Sequence, residues 1–419
     1  MLVRVKGMND RLPSESKKWA ALENKLRGIF KIFNYEEIKT PLLEYSDVFH
    51  RKSEQSDMVT KETYDFKDRS DRDLTLRPEG TAGIVRSYIE NKLYVDPEAK
   101  KFFYMGPFYR YERPQKGRYR EFHQFGVEVF GNNNPLIDAE VITLGYEIIK
   151  SLGLKDVSVN INSLGDQVSR TNYKNALIEH LTPYKDDLCE DCLRRLEKNP
   201  LRVLDCKVDG NKDFVLNAPK SLDFLTLESK SRFELVKIYL EAANVKFNVL
   251  KTLVRGLDYY ADTVFEIESA IEGFGAGNIL GGGGCYHSLV KELGGPNVTG
   301  FGFGFGMERI ISALDAQGIN LEKIDFLQTF VLYLGEQSTV KAVELLRKIR
   351  ESGISSDIAY NAINFKSQLR QAVKSEAKFL IIVGEDEIKE KKVAIKDSKT
   401  MEQIIVDEDK LISYLKENL

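Results

Sequence analysis

At 419 residues and 47.8 kDa the chain is too long for one compact domain and fits about two or three. Hydrophobic residues make up 42% and charged residues 30%, an ordinary globular composition with material for sizeable cores. Sixty-four acids against sixty-one bases leave a net charge of -3, which excludes gripping nucleic acid by bulk charge but not through a local basic surface.

The chain opens MLVRVKGMNDRLP, charged from the start and without an apolar signal core. It holds no apolar run of the roughly eighteen residues that a membrane span needs, so a cytoplasmic protein without a membrane partner is expected. Four cysteines, Cys189, Cys192, Cys206 and Cys285, are sparse for a disulfide scaffold and read as reduced thiols.

Residues 14–32 carry Trp19, Leu22, Leu26, Ile29 and Phe30 at helical spacing, starting at a serine after Pro13. YEEIKTPLLEY alternates like a strand, but Pro41 cannot donate a ladder hydrogen bond, so the strand should lie at an edge or bend there. DLTLRPEGTAGIVRSYIE predicts a short strand, a turn at Pro78-Glu79-Gly80 and a helix. The most regular β pattern is 101–131, two runs rich in Phe, Tyr and Val around the turn-forming loop Arg113 to Gly117, hence a long antiparallel hairpin. A helix over DAEVITLGYEIIKSLG follows, stopped by Gly153 as a left-handed cap, and then a buried strand VSVNIN. From about 167 to 230 the composition turns to Lys, Asn, Asp and Leu and reads as a mainly helical insertion. Strand patterns return at 253–268 and 276–284, and FGFGFGMERIISAL runs from glycines into a helix. The last unit, 327–419, alternates strands and helices, which means an α/β sandwich.

Strand parity locates the chemistry. In the hairpin Phe108, Arg110 and Glu112 face one way, and Arg118, Phe122, Gln124 and Glu128 share a parity in the second strand. The plain alternative is the solvated face of a hairpin. An aromatic plate amid guanidinium groups, however, suits a flat ring attached to phosphates, with Arg110 and Arg118 as bidentate contacts. His123 points the other way and reads as a packed histidine. LVRGLDYY at 253–260 sets an arginine, Arg255, before glycine in an apolar strand, with Tyr259 and Tyr260 following; it is either an exposed edge or an arginine aimed into a cleft. Gly281 to Gly284 let a backbone approach a ligand or form a flexible bulge. GFGFGMER is not a dinucleotide fingerprint, and no Gly-Lys dipeptide exists for a P-loop; Arg309 at the helix start can serve a terminal phosphate. Together these clusters describe a nucleotide site on an antiparallel sheet, with arginines replacing the glycine-rich cradle.

At this point the text of the chain resembles histidyl-tRNA synthetase, a class II aminoacyl-tRNA synthetase. KGMNDRLP resembles its N-terminal segment and YEEIKTPLLEYSDVF the dimer-forming first class II motif. LRPEGTA resembles a substrate-binding segment, FYRYERPQKGRYREFHQFGVEVFG the second motif, LVRGLDYY the segment peculiar to histidine enzymes, and GFGFGMERI the third motif. The resemblance implies an α+β class II catalytic domain over 1–325, an antiparallel sheet with flanking helices and the helical insertion, followed by an α/β anticodon-binding domain over 327–419. It implies histidine activation by ATP with Mg2+, transfer to the 3′ end of a tRNA, and a homodimer.

Carried over residue by residue, the resemblance has Arg110 bind the α-phosphate and the amino-acid carboxylate, with Phe122 under adenine and Glu112 beside it. Arg118 and Arg309 hold the β- and γ-phosphates. Glu79, Gln124, Glu128, Tyr259, Tyr260 and Tyr286 line the histidine pocket, with Thr81 between it and the ATP. Arg255 neutralises the α-phosphate under attack, so Arg255 and Arg110 are the catalytic pair. Arg113, Gln115 and Lys116 meet the tRNA acceptor end. The chain departs from the family where Gly-Gly-Arg-Tyr-Asp is usual: Cys285 and His287 replace the Arg and Asp, which puts local rigidity and the carry-over to Tyr286 in question.

Cys189-x-x-Cys192 and Cys206 offer three metal ligands, and no fourth stands at a matching CxxC or HxxxH spacing; structural zinc takes four, so buried thiols and no metal are expected. Two other functions compete: a catalytically silent relative, the regulatory subunit of ATP phosphoribosyltransferase, and an RNA-sensing module. LVRGLDYY, RPQKGRYR and the terminal domain speak against both.

Overall fold

The structure is a computed structural model describing residues 2–51, 56–113, 118–131, 133–270, 278–321, 327–360 and 364–419, with the backbone only at 57, 336 and 337. It divides into two compact units, Met1–Glu322 and Lys323–Leu419.

In chain order the first unit has strands β1 (Glu36–Glu37), β2 (Leu43–Tyr45), β3 (Tyr64–Lys67), β4 (Asp73–Leu76), β5 (Lys100–Tyr109), β6 (Glu121–Gly131), β7 (Val157–Ser163), β8 (Phe247–Val249), β9 (Ala261–Ser269), β10 (Ile279–Tyr286) and β11 (Thr299–Gly306). Eight form one sheet in the order β1-β5-β6-β11-β10-β9-β7-β8, antiparallel except at its two outer pairs. Pro41 divides the first β segment: β1 ends the large sheet, while β2 crosses to a small sheet, β2-β4-β3. The helix Pro13–Ile32 takes Pro13 at its first turn, where the missing N–H has no helical partner to lose.

Register gives the large sheet two unlike faces, because partnered residues on neighbouring strands point to the same side. One face carries Phe103, Phe125, Val127, Val129, Phe301, Phe303 and Phe305, buried under the helices Pro13–Ile32, Pro135–Ser151, Leu227–Ala242 and Met307–Ala316. The other carries the row Phe122, Gln124, Gly126, Glu128 of β6, beside Gly306, Gly304, Gly302 of β11 and then Gly282 and Gly284 of β10. The hairpin β5–β6, the stop at Gly153 (φ +84) and the buried β7 are as the sequence predicts.

Two boundaries differ. LVRGLDYY is not a strand: β9 begins only at Ala261, and 250–260 is a run of turns. Leu253, Tyr259 and Tyr260 are all buried in one cluster, so the segment does not alternate as a half-buried strand must. The insertion ends near Thr226, because the helix Leu227–Ala242 buries Phe233, Val236 and Leu240 in the main core.

The second unit is a five-stranded sheet, β13-β12-β14-β15-β16, built from β12 (Thr329–Tyr333), β13 (Ser356–Ile358), β14 (Phe379–Val383), β15 (Lys392–Asp397) and β16 (Gln403–Asp407). The helices Glu336–Glu351 and Leu411–Asn418 pack on one side and Phe365–Lys374 on the other, the α/β sandwich expected. The edge strand β16 and the two helices Glu385–Glu390 and Leu411–Asn418 are additions that the sequence reading did not find.

Candidate nucleotide and amino-acid site

The glycine face of the large sheet is the floor of the candidate site. Phe122 lies on it at the loop end of the hairpin, and the Arg110 guanidinium sits 5.1 Å above its ring centroid. Arg110 Nε donates to the Pro78 carbonyl at 2.9 Å, which ties β5 to the turn before the helix Thr81–Glu90. Glu112 holds Arg118 at 3.2 Å and lies 4.0 Å from Arg110. Arg309, from the helix that follows β11, donates to the Ile279 carbonyl at 2.8 Å. Burial lowers its pKa, and the neighbouring charges of Arg118, Arg110 and Arg255 lower it further. The guanidinium groups of Arg110, Arg118, Arg255 and Arg309 therefore converge on one floor.

Arg255 reaches this floor from the turns before β9. Burial opposes its charge, but Glu266, its ion-pair partner, together with Tyr260 and Tyr259 outweighs that. Glu266 is the register partner of Gly282 on the ligand face. A Cβ on Gly282 would lie 3.0 Å from the Arg255 guanidinium, so the glycine leaves the space the arginine occupies. The Arg255 Nε is buried without a hydrogen-bond partner.

The closed end of the face is a carboxylate–hydroxyl pocket. Glu128 accepts from Thr81 Oγ1 at 2.6 Å and from the Tyr286 hydroxyl at 2.7 Å. Both donors favour its charged form, yet burial dominates and pushes its pKa up to about 8. Glu79 caps the helix Thr81–Glu90 by accepting the N–H groups of Thr81 at 2.6 Å and Ala82 at 2.8 Å. Its pKa is also raised by burial. Tyr259 and Tyr260 close the pocket, their rings 4.8 Å apart, with Tyr259 edge-on to Tyr286 at 5.6 Å. Burial pushes Tyr260 up to about 12 against the pull of Arg255. A Cβ on Gly302 would stand 2.0 Å from the Glu128 carboxylate, so glycine is required there.

Arg110, Glu112, Arg118, Phe122, Gln124, Arg255 and Arg309 are thus gathered at one end, and Glu79, Thr81, Glu128, Tyr259, Tyr260 and Tyr286 at the other. Arg113 is exposed, while Gln115 and Lys116 lie outside the described residues. His123 is on the opposite face, its ring against Trp19 and Arg11 and its backbone N–H accepted by the Glu308 carboxylate at 2.9 Å. The exchanged pair Cys285 and His287 is absorbed locally. Cys285 is buried on the core face, with Arg232 beside it bridging Asp138 at 2.7 Å and Asp262 at 3.6 Å. His287 Nε2 meets Asp262 at 2.6 Å, and Tyr286 keeps its bond to Glu128.

Sequence reasoning missed Glu266, Tyr104 and Asp209. Parity in Phe265-Glu266-Ile267 sets Glu266 on the side opposite the two apolar residues beside it. Tyr104 fills the floor across Gly80 and Gly126, whose Cβ atoms would lie 2.6 and 2.5 Å from it. One end of this site can hold a ring bearing phosphates, and the other a small molecule presenting hydrogen-bond donors to buried carboxylates.

Comparison with known proteins gives the family. The family described as histidyl-tRNA synthetase matches residues 7–310, and that described as anticodon binding domain matches 328–418. A histidine–tRNA ligase of Acholeplasma laidlawii is 54% identical over 417 residues, covering 100% of this chain and 99% of that protein. Its counterpart in Bacillus subtilis is 45% identical, covering 99% and 98%. The crystal structure of apo Staphylococcus aureus histidyl-tRNA synthetase superimposes with a TM-score of 0.85 at 40% identity, over 99% of this chain and 100% of that one. An ATP phosphoribosyltransferase regulatory subunit/histidyl-tRNA synthetase structure from Bacillus halodurans shares the fold, with a TM-score of 0.64 at 22% identity over 92% and 98%.

Proposed function

The chain belongs to the histidyl-tRNA synthetase family, and from that premise we propose how its residues carry the family's reaction. The enzyme is an aminoacyl-tRNA ligase: it activates histidine with ATP to histidyl-adenylate and pyrophosphate, then transfers histidine to tRNA.

Activation brings two anions together, the histidine carboxylate and the ATP α-phosphate. Arg110 and Arg255 neutralise both as the carboxylate oxygen attacks phosphorus, and the pyrophosphate leaves opposite it toward Arg118 and Arg309. Cations fixed before the reaction act by positioning and by stabilising charge, so no covalent enzyme intermediate is needed. Adenine lies on Phe122 with Glu112 at its edge. ATP enters as its magnesium complex, whose metal spreads the phosphate charge. At the closed end Glu128, Tyr260 and Tyr286 bond the imidazole, with Glu79, Thr81, Gln124 and Tyr259 completing the wall. A pocket of buried polar groups rejects apolar analogues by about 10⁴–10⁵, because its own groups would be left unpaired. Arg113, Gln115 and Lys116 take the acceptor end, and the unit from 327 reads the anticodon.

The chain acts in the cytoplasm as a homodimer; supporting this, Leu42, Leu43 and Tyr45 of the first motif are exposed apolar side chains. Among the described residues no helix is long and apolar enough to cross a membrane.

The convergence of Arg110, Arg118, Arg255 and Arg309 on the glycine floor carries this reading. Amino-acid-dependent ATP–pyrophosphate exchange tests it. Exchange is expected with histidine alone, and exchange with none of the amino acids would return the chain to the silent-relative reading.

A further inference from the structure

Three cysteines and one aspartate meet inside the helical insertion, away from the site described above. The Sγ atoms of Cys189, Cys192 and Cys206 and a carboxylate oxygen of Asp209 all lie within 4.8 Å of one another. Cys192, Cys206 and Asp209 are buried. We propose that these four residues form a structural Zn2+ site that staples the insertion.

The local geometry is that of two short knuckles facing each other. Cys189 is the N-cap of the helix Glu190–Lys198, so Cys192 returns one turn later on the same side. Cys206 and Asp209 repeat the spacing in a turn, where Asp209 N–H points at Cys206 Sγ at 3.5 Å and Gly210 N–H donates to the Cys206 carbonyl at 2.8 Å. The fourth donor is thus a carboxylate in Cys-x-x-Asp, which a search for CxxC or HxxxH pairs cannot find. Cys189 Sγ and Cys206 Sγ are 3.8 Å apart. Zinc held at about 2.3 Å from each sulfur of a tetrahedron requires an S–S edge of about 3.8 Å.

A metal would turn the three thiols into thiolates outright. The surrounding core is small, and Cys192 and Cys206 are part of it beside Leu181, Leu188, Leu196, Val203 and Val215. A cluster of this size holds a fold poorly without a staple.

The knuckles bracket residues that hold the catalytic turn. Between Cys192 and Cys206 lie Asn199, which bonds the Asp258 carboxylate, and Arg202, whose guanidinium donates to the Arg255 carbonyl at 3.3 Å. The metal would fix this arm and so position the backbone of Arg255. That link rests on the role proposed for Arg255; the metal site does not.

Metal content of the full-length protein, purified without chelator, tests the proposal. Close to one Zn2+ per chain is expected. After chelation one equivalent of Co2+ should give thiolate charge-transfer absorption with intense tetrahedral bands. Losing even an outer partner of a metal costs about 10–100-fold in affinity, so Asp209→Asn should weaken Zn2+ binding by at least about tenfold. Cys206→Ser should abolish the charge-transfer absorption. Absence of both Zn2+ and Co2+ absorption in the wild-type chain would overturn the site even if the variants fail to fold. So would a native Cys189–Cys206 disulfide, read as two missing thiols on titration. Normal metal loading with unchanged pyrophosphate exchange after chelation would keep the site and remove only its link to Arg255.

Discussion

The two faces of the eight-stranded sheet come from the same strands and differ in almost every physical respect. Along β11, Phe301, Phe303 and Phe305 go down into a core under four helices, while Gly302, Gly304 and Gly306 lie bare on the other side. Along β6, Phe125 and Val127 alternate with Gln124, Gly126 and Glu128. One face gains stability by burying aromatic area; the other surrenders it to make room. The ligand face also gathers groups that disturb one another: Arg309 is crowded by Arg118 and Arg110, and burial raises the pKa of Glu128. A period-two strand thus separates the two tasks residue by residue, and a nucleotide completes the face that the core cannot stabilise. Ligand binding should accordingly raise the melting temperature by mass action.

The sharpest break between the faces is Arg255→Ala. It removes a cation whose partner Glu266 belongs to the ligand face, so histidine-dependent exchange should fall by about 10³-fold, the scale of losing one preorganised charge-stabilising group. The far-ultraviolet circular dichroism should be unchanged, because the packed face is untouched. Normal exchange in this variant would remove Arg255 from the chemistry.

The next effect is a pH dependence belonging to the ligand face alone. Glu128 titrates near the ordinary glutamate value when unfolded and at about 8 when folded, so between these the folded state binds the extra proton. Stability then falls as pH rises from about 5 to 8, by as much as a few kcal/mol in the ligand-free protein. Glu79, raised for the same reason, adds in the same direction. Thermal unfolding across this window should show a flatter profile for Glu128→Gln than for the wild type. An unchanged slope would place the titration elsewhere.

The two faces were also unequally legible. The hairpin, the phenylalanine–glycine alternation and the Arg110, Phe122, Gln124, Glu128 row follow from period two, which a sequence displays directly. Arg255 was visible as an anomaly, but in a strand that does not exist, because buried turns with Leu253, Tyr259 and Tyr260 imitate an apolar run. Glu266 and Tyr104 gain their meaning from register partners on β10 and β6, and register is a long-range property. Asp209 needed a fold to bring a carboxylate to three thiols. The convergence of four arginines from three segments, the hairpin that carries Arg110 and Arg118 and the stretches that carry Arg255 and Arg309, is long-range as well, and the sequence shows it only as separate clusters.

The smallest expected effects give the cleanest contrast, because they use neighbouring residues of one strand. Gly302→Ala puts a methyl where the Glu128 carboxylate now lies, 2.0 Å away, with the Val127 carbonyl at 2.4 Å. The side chain must leave its bonds to Thr81 and Tyr286 and the Val127 backbone must shift, so the KM for histidine should rise by about ten- to a hundredfold, the worth of one or two hydrogen bonds, with some loss of stability. Phe303→Leu, one residue along, trims a ring that is 2% exposed on the opposite face. It should lower stability by about 1–2 kcal/mol, measured by denaturant unfolding, and leave the histidine KM unchanged. If the two substitutions gave the same mixture of lost stability and lost affinity, the faces would be coupled through the backbone, and the separation of tasks along β11 would not hold.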